Sequence, residues 1–211
     1  MRVVKDAEER RNEILDAAEQ LFGTKGFDGT STNDILERVG IARGTLYYHF
    51  KSKEDIMDGL VDRINTNLIN TARTAASDRS VSLVECIMNT ILSMNIGGGN
   101  NDRIIEHIHK PQNALMQQKI QKAMIQGIAP IMTELVQEGV EQKMFSTPFP
   151  YESVEMIMVY AITVFNSEVV EIAQEDMAAR ITAFIFNIER LLGAEEGSFN
   201  FITKMFDQEG M

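Results

Sequence analysis

The 211-residue sequence predicts an all-α chain, in which a small N-terminal unit of three helices precedes a larger helical body. Three observations carry that expectation. Between residues 26 and 53, two helix-start signatures flank a glycine turn. Farther along, apolar residues recur at helical spacing, and Gly- or Pro-bearing breaks separate those stretches.

Taken in order, residues 5 to 25 form the first expected helix, with Ile14, Ala18, Leu21 and Phe22 on one face and Gly26 ending it. Arg10 or Arg11 near its start is within reach of an anion, although a solvated charge is the commoner role for such a residue. Ser31 with Asp34 three residues on is a capping box, which starts the second helix near residue 31. Ile35, Leu36 and Val39 give that helix an apolar face, and Gly40 supplies the turn. From Ala42 a third helix runs to about Phe50, and the box at Ser52-Lys53-Glu54-Asp55 opens a fourth.

At about 100° per residue, Leu46 and Phe50 of the third helix share a side, which with Val39 and Ile41 makes a small core. Gly44 and Tyr48 point the other way, flanked by Thr45 and Tyr47, and Arg43 lies in the first turn. Such a face suits duplex DNA: a guanidinium for guanine or phosphate, hydroxyls for phosphate oxygens, and a glycine that lets backbones approach. Residues 38 to 53 carry Arg38, Arg43, Lys51 and Lys53 without an acid, although the whole chain stands at −11. Attraction to phosphate is thus confined to one surface, and binding there is expected to be steeply salt-dependent.

The pattern Gly26-Phe27-x-x-Thr30-Ser31-x-x-Asp34-Ile35, then Gly40-Ile41-x-Arg43-Gly44-Thr45-Leu46-Tyr47-x-His49-Phe50-x-Ser52-Lys53-Glu54, resembles the DNA-binding domain of the TetR/AcrR family of bacterial transcriptional regulators. Two positions depart from it. Leu36 stands where the family commonly has alanine, and Ala42 replaces a common serine, which removes a good helix cap. The resemblance implies a three-helix helix-turn-helix DNA-binding domain at 1–52 and a helical effector-binding and dimerisation domain at 53–211. On it, Arg43, Gly44, Thr45, Tyr47, Tyr48 and His49 are expected to face the groove. Ser31, Thr32 and Lys53 are expected to hold phosphates, with Asn33 a lesser candidate for a base edge.

The fourth helix carries Ile56, Leu60, Ile64 and Leu68 and is expected to reach about Ala75. Val81 to Ile96 is apolar and periodic, the run Gly97-Gly98-Gly99-Asn100-Asn101 breaks it, and a short helix from Asp102 to about Lys110 stops at Pro111. Gln112 to Lys143 reads as one long helix with Leu115, Ile120, Met124, Ile128, Ile131 and Leu135 inward and a kink at Pro130. After the loop Ser146 to Pro150, the stretches Val154–Phe165 and Ala178–Leu192 are apolar on more than one face. Burying both is simplest against the same two helices of a second copy, so a homodimer through 151–170 and 176–193 is expected. A two-fold dimer presents two recognition helices to a pseudo-palindromic operator.

Eight of the 13 methionines, Met88, Met94, Met116, Met124, Met132, Met144, Met156 and Met158, fall between residues 86 and 160. Their flexible thioethers suit an adaptable apolar cavity, hence a small apolar effector of unknown identity as a partner beside DNA and the second copy. Gap-filling in the core is the plainer role for any one of them. The single Cys86 fits a reducing cytoplasm, and no apolar run approaches the roughly 20 residues that a bilayer needs. His107 and His109 are two apart, hence on different helix faces, and cannot chelate one ion as an i, i+4 pair does. No phosphate-cradling loop, nucleophile elbow or paired-carboxylate motif is present, so neither catalysis nor a cofactor is expected. The competing expectation is a ligand- or metal-sensing protein of the same fold that has lost DNA binding or activates transcription.

Overall fold

The computed structural model describes residues 6–93, 113–165 and 172–204. Among these, eight α-helices follow one another: α1 Ala7–Lys25, α2 Thr32–Val39, α3 Arg43–His49, α4 Lys53–Ala76, α5 Leu83–Ser93, α6 Ala114–Glu141, α7 Pro150–Val164 and α8 Gln174–Leu192, with a short 3-10 turn at Asn200–Ile202. No strand occurs among the described residues. The glycine run 97–99, the helix expected at 102–110, Met94, His107 and His109 lie outside them, as do residues 166–170 of the expected dimer segment. None of the helices is long and apolar enough to cross a membrane.

Two compact units result. One comprises Met1–Thr66 with Ile96–Ala123, the other Asn67–Asn95 with Met124–Met211. The 1–52 and 53–211 division expected above is one of function and returns below as a proposal.

In the first unit, Ile14, Ala18, Phe22, Ile35, Leu46, Phe50, Ile56 and Leu60 are buried. Between α1 and α2 the chain turns at Gly26, and buried Thr30 locks the turn by donating from Oγ1 to the Gly26 carbonyl at 2.7 Å. Ser31 caps α2 as its spacing predicts: the Asp34 amide donates to Ser31 Oγ at 3.2 Å and the Ser31 amide donates to Asp34 Oδ2 at 2.8 Å. Gly40 then takes φ 72°, a left-handed conformation that L side chains rarely adopt, and its amide returns to the Leu36 carbonyl at 2.9 Å. Ala42 precedes α3 with no side-chain cap, as its replacement of serine implies. Ser52 Oγ accepts from the Asp55 amide at 3.1 Å at the start of α4, while Asp55 reaches back to the Lys51 amide at 2.7 Å. Arg63 of α4 ties that helix to α1 through Asp16 at 2.7 Å and Glu19 at 2.6 Å.

On α4, Ile56, Leu60 and Leu68 are buried and Ile64 is half-buried, while Val61, Asn65, Ala72 and Ala76 are buried as well. One inward assignment, on α6, needs correction. On α6 Met116 is buried and Leu115 exposed, because Met116 and not Leu115 falls in the i, i+4 series with Ile120, Met124 and Ile128. Helix α6 runs through Pro130 without interruption. Pro130 lies on the exposed face, where water can meet the Gln126 carbonyl that a proline nitrogen leaves without a donor.

In the second unit, Arg73 of α4 pairs with Glu134 of α6, and Arg79, in the loop after α4, pairs with Glu138 of α6. Gly139 is required by packing: a Cβ there would stand 2.3 Å from the Phe145 ring. Helix α8 buries Ile181, Phe184, Ile185, Ile188 and Leu192, and Phe184 stacks on Tyr160 of α7 at 5.2 Å. Buried Glu189 accepts from the amides of Gly197 at 2.8 Å and Phe199 at 3.2 Å, holding the segment that follows α8. Buried Cys86 donates its thiol to the Ala75 and Ala76 carbonyls, and burial pushes its pKa up, so the thiol stays protonated.

The caps make a stability test. Ser31→Ala is expected to lower the free energy of unfolding by about 1 kcal/mol, and Ala42→Ser to raise it by a comparable amount, both read from urea denaturation. Bonds from Lys25 and Ser31 hold the Asp34 carboxyl well below its ordinary range. Its folded-state pKa is thus depressed, so its contribution is complete above about pH 4 and is lost on further acidification, where the Ser31→Ala deficit narrows.

Candidate nucleic-acid interface

The candidate residues gather around α2, the Gly40 turn and α3. Leu46 is fully buried, which aims the opposite side of α3 at solvent. Tyr48 there is 77% exposed and Tyr47 beside it 45%, and Arg43 and Gly44 are exposed as well. Helix α3 is only seven residues long, so this stripe is most of its surface.

Gly44 is informative because the protein itself does not require it. A Cβ built there meets nothing within 4 Å, and its backbone is not left-handed. Exposed glycine in a helix costs about 1 kcal/mol relative to alanine. Gly44 thus leaves the backbone of α3 open to close approach from outside.

The other candidates are placed as follows. Exposed Asn33 accepts at Oδ1 from Arg43 Nη2 at 3.4 Å, a long bond that is easily exchanged for a stronger acceptor. Ser31 is exposed, but its hydroxyl proton is committed to the Asp34 carboxylate. Thr32 and Thr45 are half-buried. His49 is half-buried, 60° around the helix from Leu46 by the 100° step, and its ring meets Tyr48 edge-on at 5.0 Å. Burial, then the charges of Arg11 and Arg10, hold its pKa below the ordinary value, so the imidazole is neutral at pH 7.

Lys53 is turned inward. Its ammonium donates to the Phe27 carbonyl at 2.7 Å and sits 4.2 Å from the centre of the Phe27 ring. An ammonium has three donors, so a phosphate contact is compatible with this position. Among the remaining cations, Lys25 pairs with Asp34 at 2.5 Å, Arg38 donates to Gln20 at 2.5 Å and Lys51 is exposed. Neither arginine at the start of α1 is simply solvated: Arg10 pairs with Glu13 at 2.6 Å and Arg11 lies 4.5 Å over the Phe50 ring.

Sequence reasoning did not find Asn113. It is buried at the start of α6, donates to the Phe22 carbonyl at 3.2 Å and accepts from the Phe27 amide at 3.1 Å. A single asparagine beside a proline-bearing break carries no signal of a contact across some 90 positions. Among the described residues, no group of three or more His, Cys, Asp or Glu could hold a metal ion.

Known proteins resemble the chain at both ends. Residues 14–60 match the family described as bacterial regulatory proteins, tetR family, and residues 97–186 match the tetracyclin repressor-like C-terminal domain. The HTH-type transcriptional regulator TtgR of Pseudomonas putida is 31% identical over 93 residues, 44% of each chain. The HTH-type transcriptional repressor KstR2 of Mycobacterium tuberculosis is 40% identical over 60 residues, 28% of this chain and 30% of that one. The alignments thus span less than half the length of these curated relatives. In fold, the chain is similar to SmeT, the repressor of the Stenotrophomonas maltophilia multidrug efflux pump SmeDEF, with a TM-score of 0.63 at 19% identity over 92% of this chain and 95% of SmeT. It is similar too to SmeT in its triclosan complex, with a TM-score of 0.60 at 18% identity over 90% and 94%. With a helix-turn-helix at its N-terminus and both family regions in order, the chain belongs to the TetR family of transcriptional regulators.

Proposed function

We propose that this regulator is a homodimeric repressor: residues 1–52 read a pseudo-palindromic operator, and residues 53–211 hold the dimer and a small apolar effector that releases DNA. The observation that carries the reading is the exposed stripe of α3, above all Gly44, which neither packing nor backbone conformation calls for. Arg43, Tyr47 and Tyr48 surround it with a guanidinium and two phenol groups, suited to phosphates and base edges in a major groove. Ser31, Thr32, Asn33, Thr45, His49 and Lys53 complete the proposed contact set.

Dimerisation is supported by what α7 and α8 leave uncovered. Met156, Val159 and Tyr160 of α7 and Phe186 of α8 are exposed, as are the small residues Ala179 and Ala183 of α8. A groove of about 400 Å³ runs there, lined by Met156, Tyr160, Phe184 and Asn187 among others. Self-complementary apolar faces of this kind are what a two-fold contact buries.

The effector is supported more indirectly. Met124 and Met132 are buried in the second unit, Met88, Met144 and Met158 half-buried and Met156 exposed, while Met116 is buried in the first. SmeT, to which the chain is similar in fold, is known in a complex with triclosan. An effector acts here by binding more tightly to the form that does not fit the operator.

Three outcomes are expected. Gly44→Ala keeps or slightly raises thermal stability, and Gly44→Leu weakens operator binding about tenfold or more in a mobility shift with the dimer intact. Arg43→Ala weakens binding to all duplexes alike and reduces the slope of log affinity against log salt by about 1. Equal operator affinity of Gly44→Leu and the parent would contradict the reading. Val159→Glu places two like charges across the two-fold contact, giving monomers in analytical ultracentrifugation with unchanged helix content; a persistent dimer would move the interface elsewhere.

A further inference from the structure

We infer that Asn113 is the positioning residue through which helix α6 sets the pose of the DNA-reading helices, an inference that rests on the DNA-binding role proposed above. The geometry is a two-point clamp. Buried Asn113, one residue before α6, donates from Nδ2 to the Phe22 carbonyl at 3.2 Å and accepts at Oδ1 from the Phe27 amide at 3.1 Å. The donor and the acceptor are both used, so the amide has one orientation.

Both partners lie where α1 ends and the turn towards α2 begins. The Phe22 carbonyl also accepts from the Gly26 amide at 3.0 Å, which closes α1. Phe27 is the busiest residue of that turn. Its amide meets Asn113, its carbonyl takes Lys53 at 2.7 Å, and its ring holds both the Lys53 ammonium at 4.2 Å and Phe22 at 5.2 Å. Asn113 thus grips the residue on which the turn into α2 and a proposed phosphate-binding lysine both bear. A displacement of the start of α6 is passed to the reading helices through two directional bonds in place of a slippery apolar contact.

The clamp is tested in the full-length protein with Asn113→Leu, which removes both bonds. Spin labels on exposed Glu37→Cys of α2 and Gln118→Cys of α6, with labelled chains diluted in unlabelled ones, report the distance between the reading helices and α6. The parent is expected to give one narrow distance distribution and Asn113→Leu a broad or displaced one. In parallel, affinity for the duplex that the parent selects from a random pool is expected to fall about tenfold, while affinity for a random duplex of equal length stays within about twofold, because phosphate attraction does not depend on the pose. An unchanged distance distribution, or equal losses on both duplexes, overturns the inference. If the parent selects no duplex, the DNA-binding reading fails, and the distances still judge the clamp. Should Asn113→Leu not fold, Asn113→Asp keeps the acceptor for Phe27, loses the donor to Phe22, and is expected to change both readouts in the same direction by less.

Discussion

A seven-residue helix does not hold its own shape in water, and the whole arrangement follows from that. Isolated helices shorter than about 12–15 residues are marginal, so the helix from Arg43 to His49 exists only because its neighbours fix it. It offers them one fully buried side chain within its length, Leu46, and a second, Phe50, immediately after its end. Burying those two leaves most of its remaining surface for a partner. The same economy makes it dependent on how the turn at Gly40 and the helices on either side are placed.

The bonds that place it leave its outer face alone. Lys25, Arg38, Arg11 and Lys53 are cations in or beside the helix-turn-helix, yet each is engaged with a group of the same unit. Among the described residues Arg43 makes one long bond, to Asn33, and Lys51 is exposed. The local basic charge is therefore divided between cations that build the head and cations that remain available to phosphate. On a chain whose net charge is −11, this division leaves Arg43 and Lys51 as the exposed cations in and just after the short helix.

Much of the head was legible because its signals are local. Ser31 with Asp34, Gly40 after Val39, and Ser52 before Lys53 act within one helical turn, and each does in the structure what its spacing implies. One face assignment failed, where two adjacent apolar residues compete for one inward position: Leu115 lost to Met116. Pattern reading favours the more apolar of two neighbours, whereas the helix admits whichever keeps the phase of the stripe. The inward turn of Lys53 and the clamp at Asn113 were not legible at all, since both depend on carbonyls and amides that only the folded chain brings near.

The central claim is that duplex DNA meets the face of α3 marked by Gly44, Tyr47 and Tyr48. A crystal structure of the protein bound to its operator duplex tests it most directly. The account requires that helix in a major groove, with the Gly44 backbone against the DNA and Arg43 released from Asn33 to a phosphate. A duplex bound elsewhere, with Tyr48 still in solvent, would contradict it.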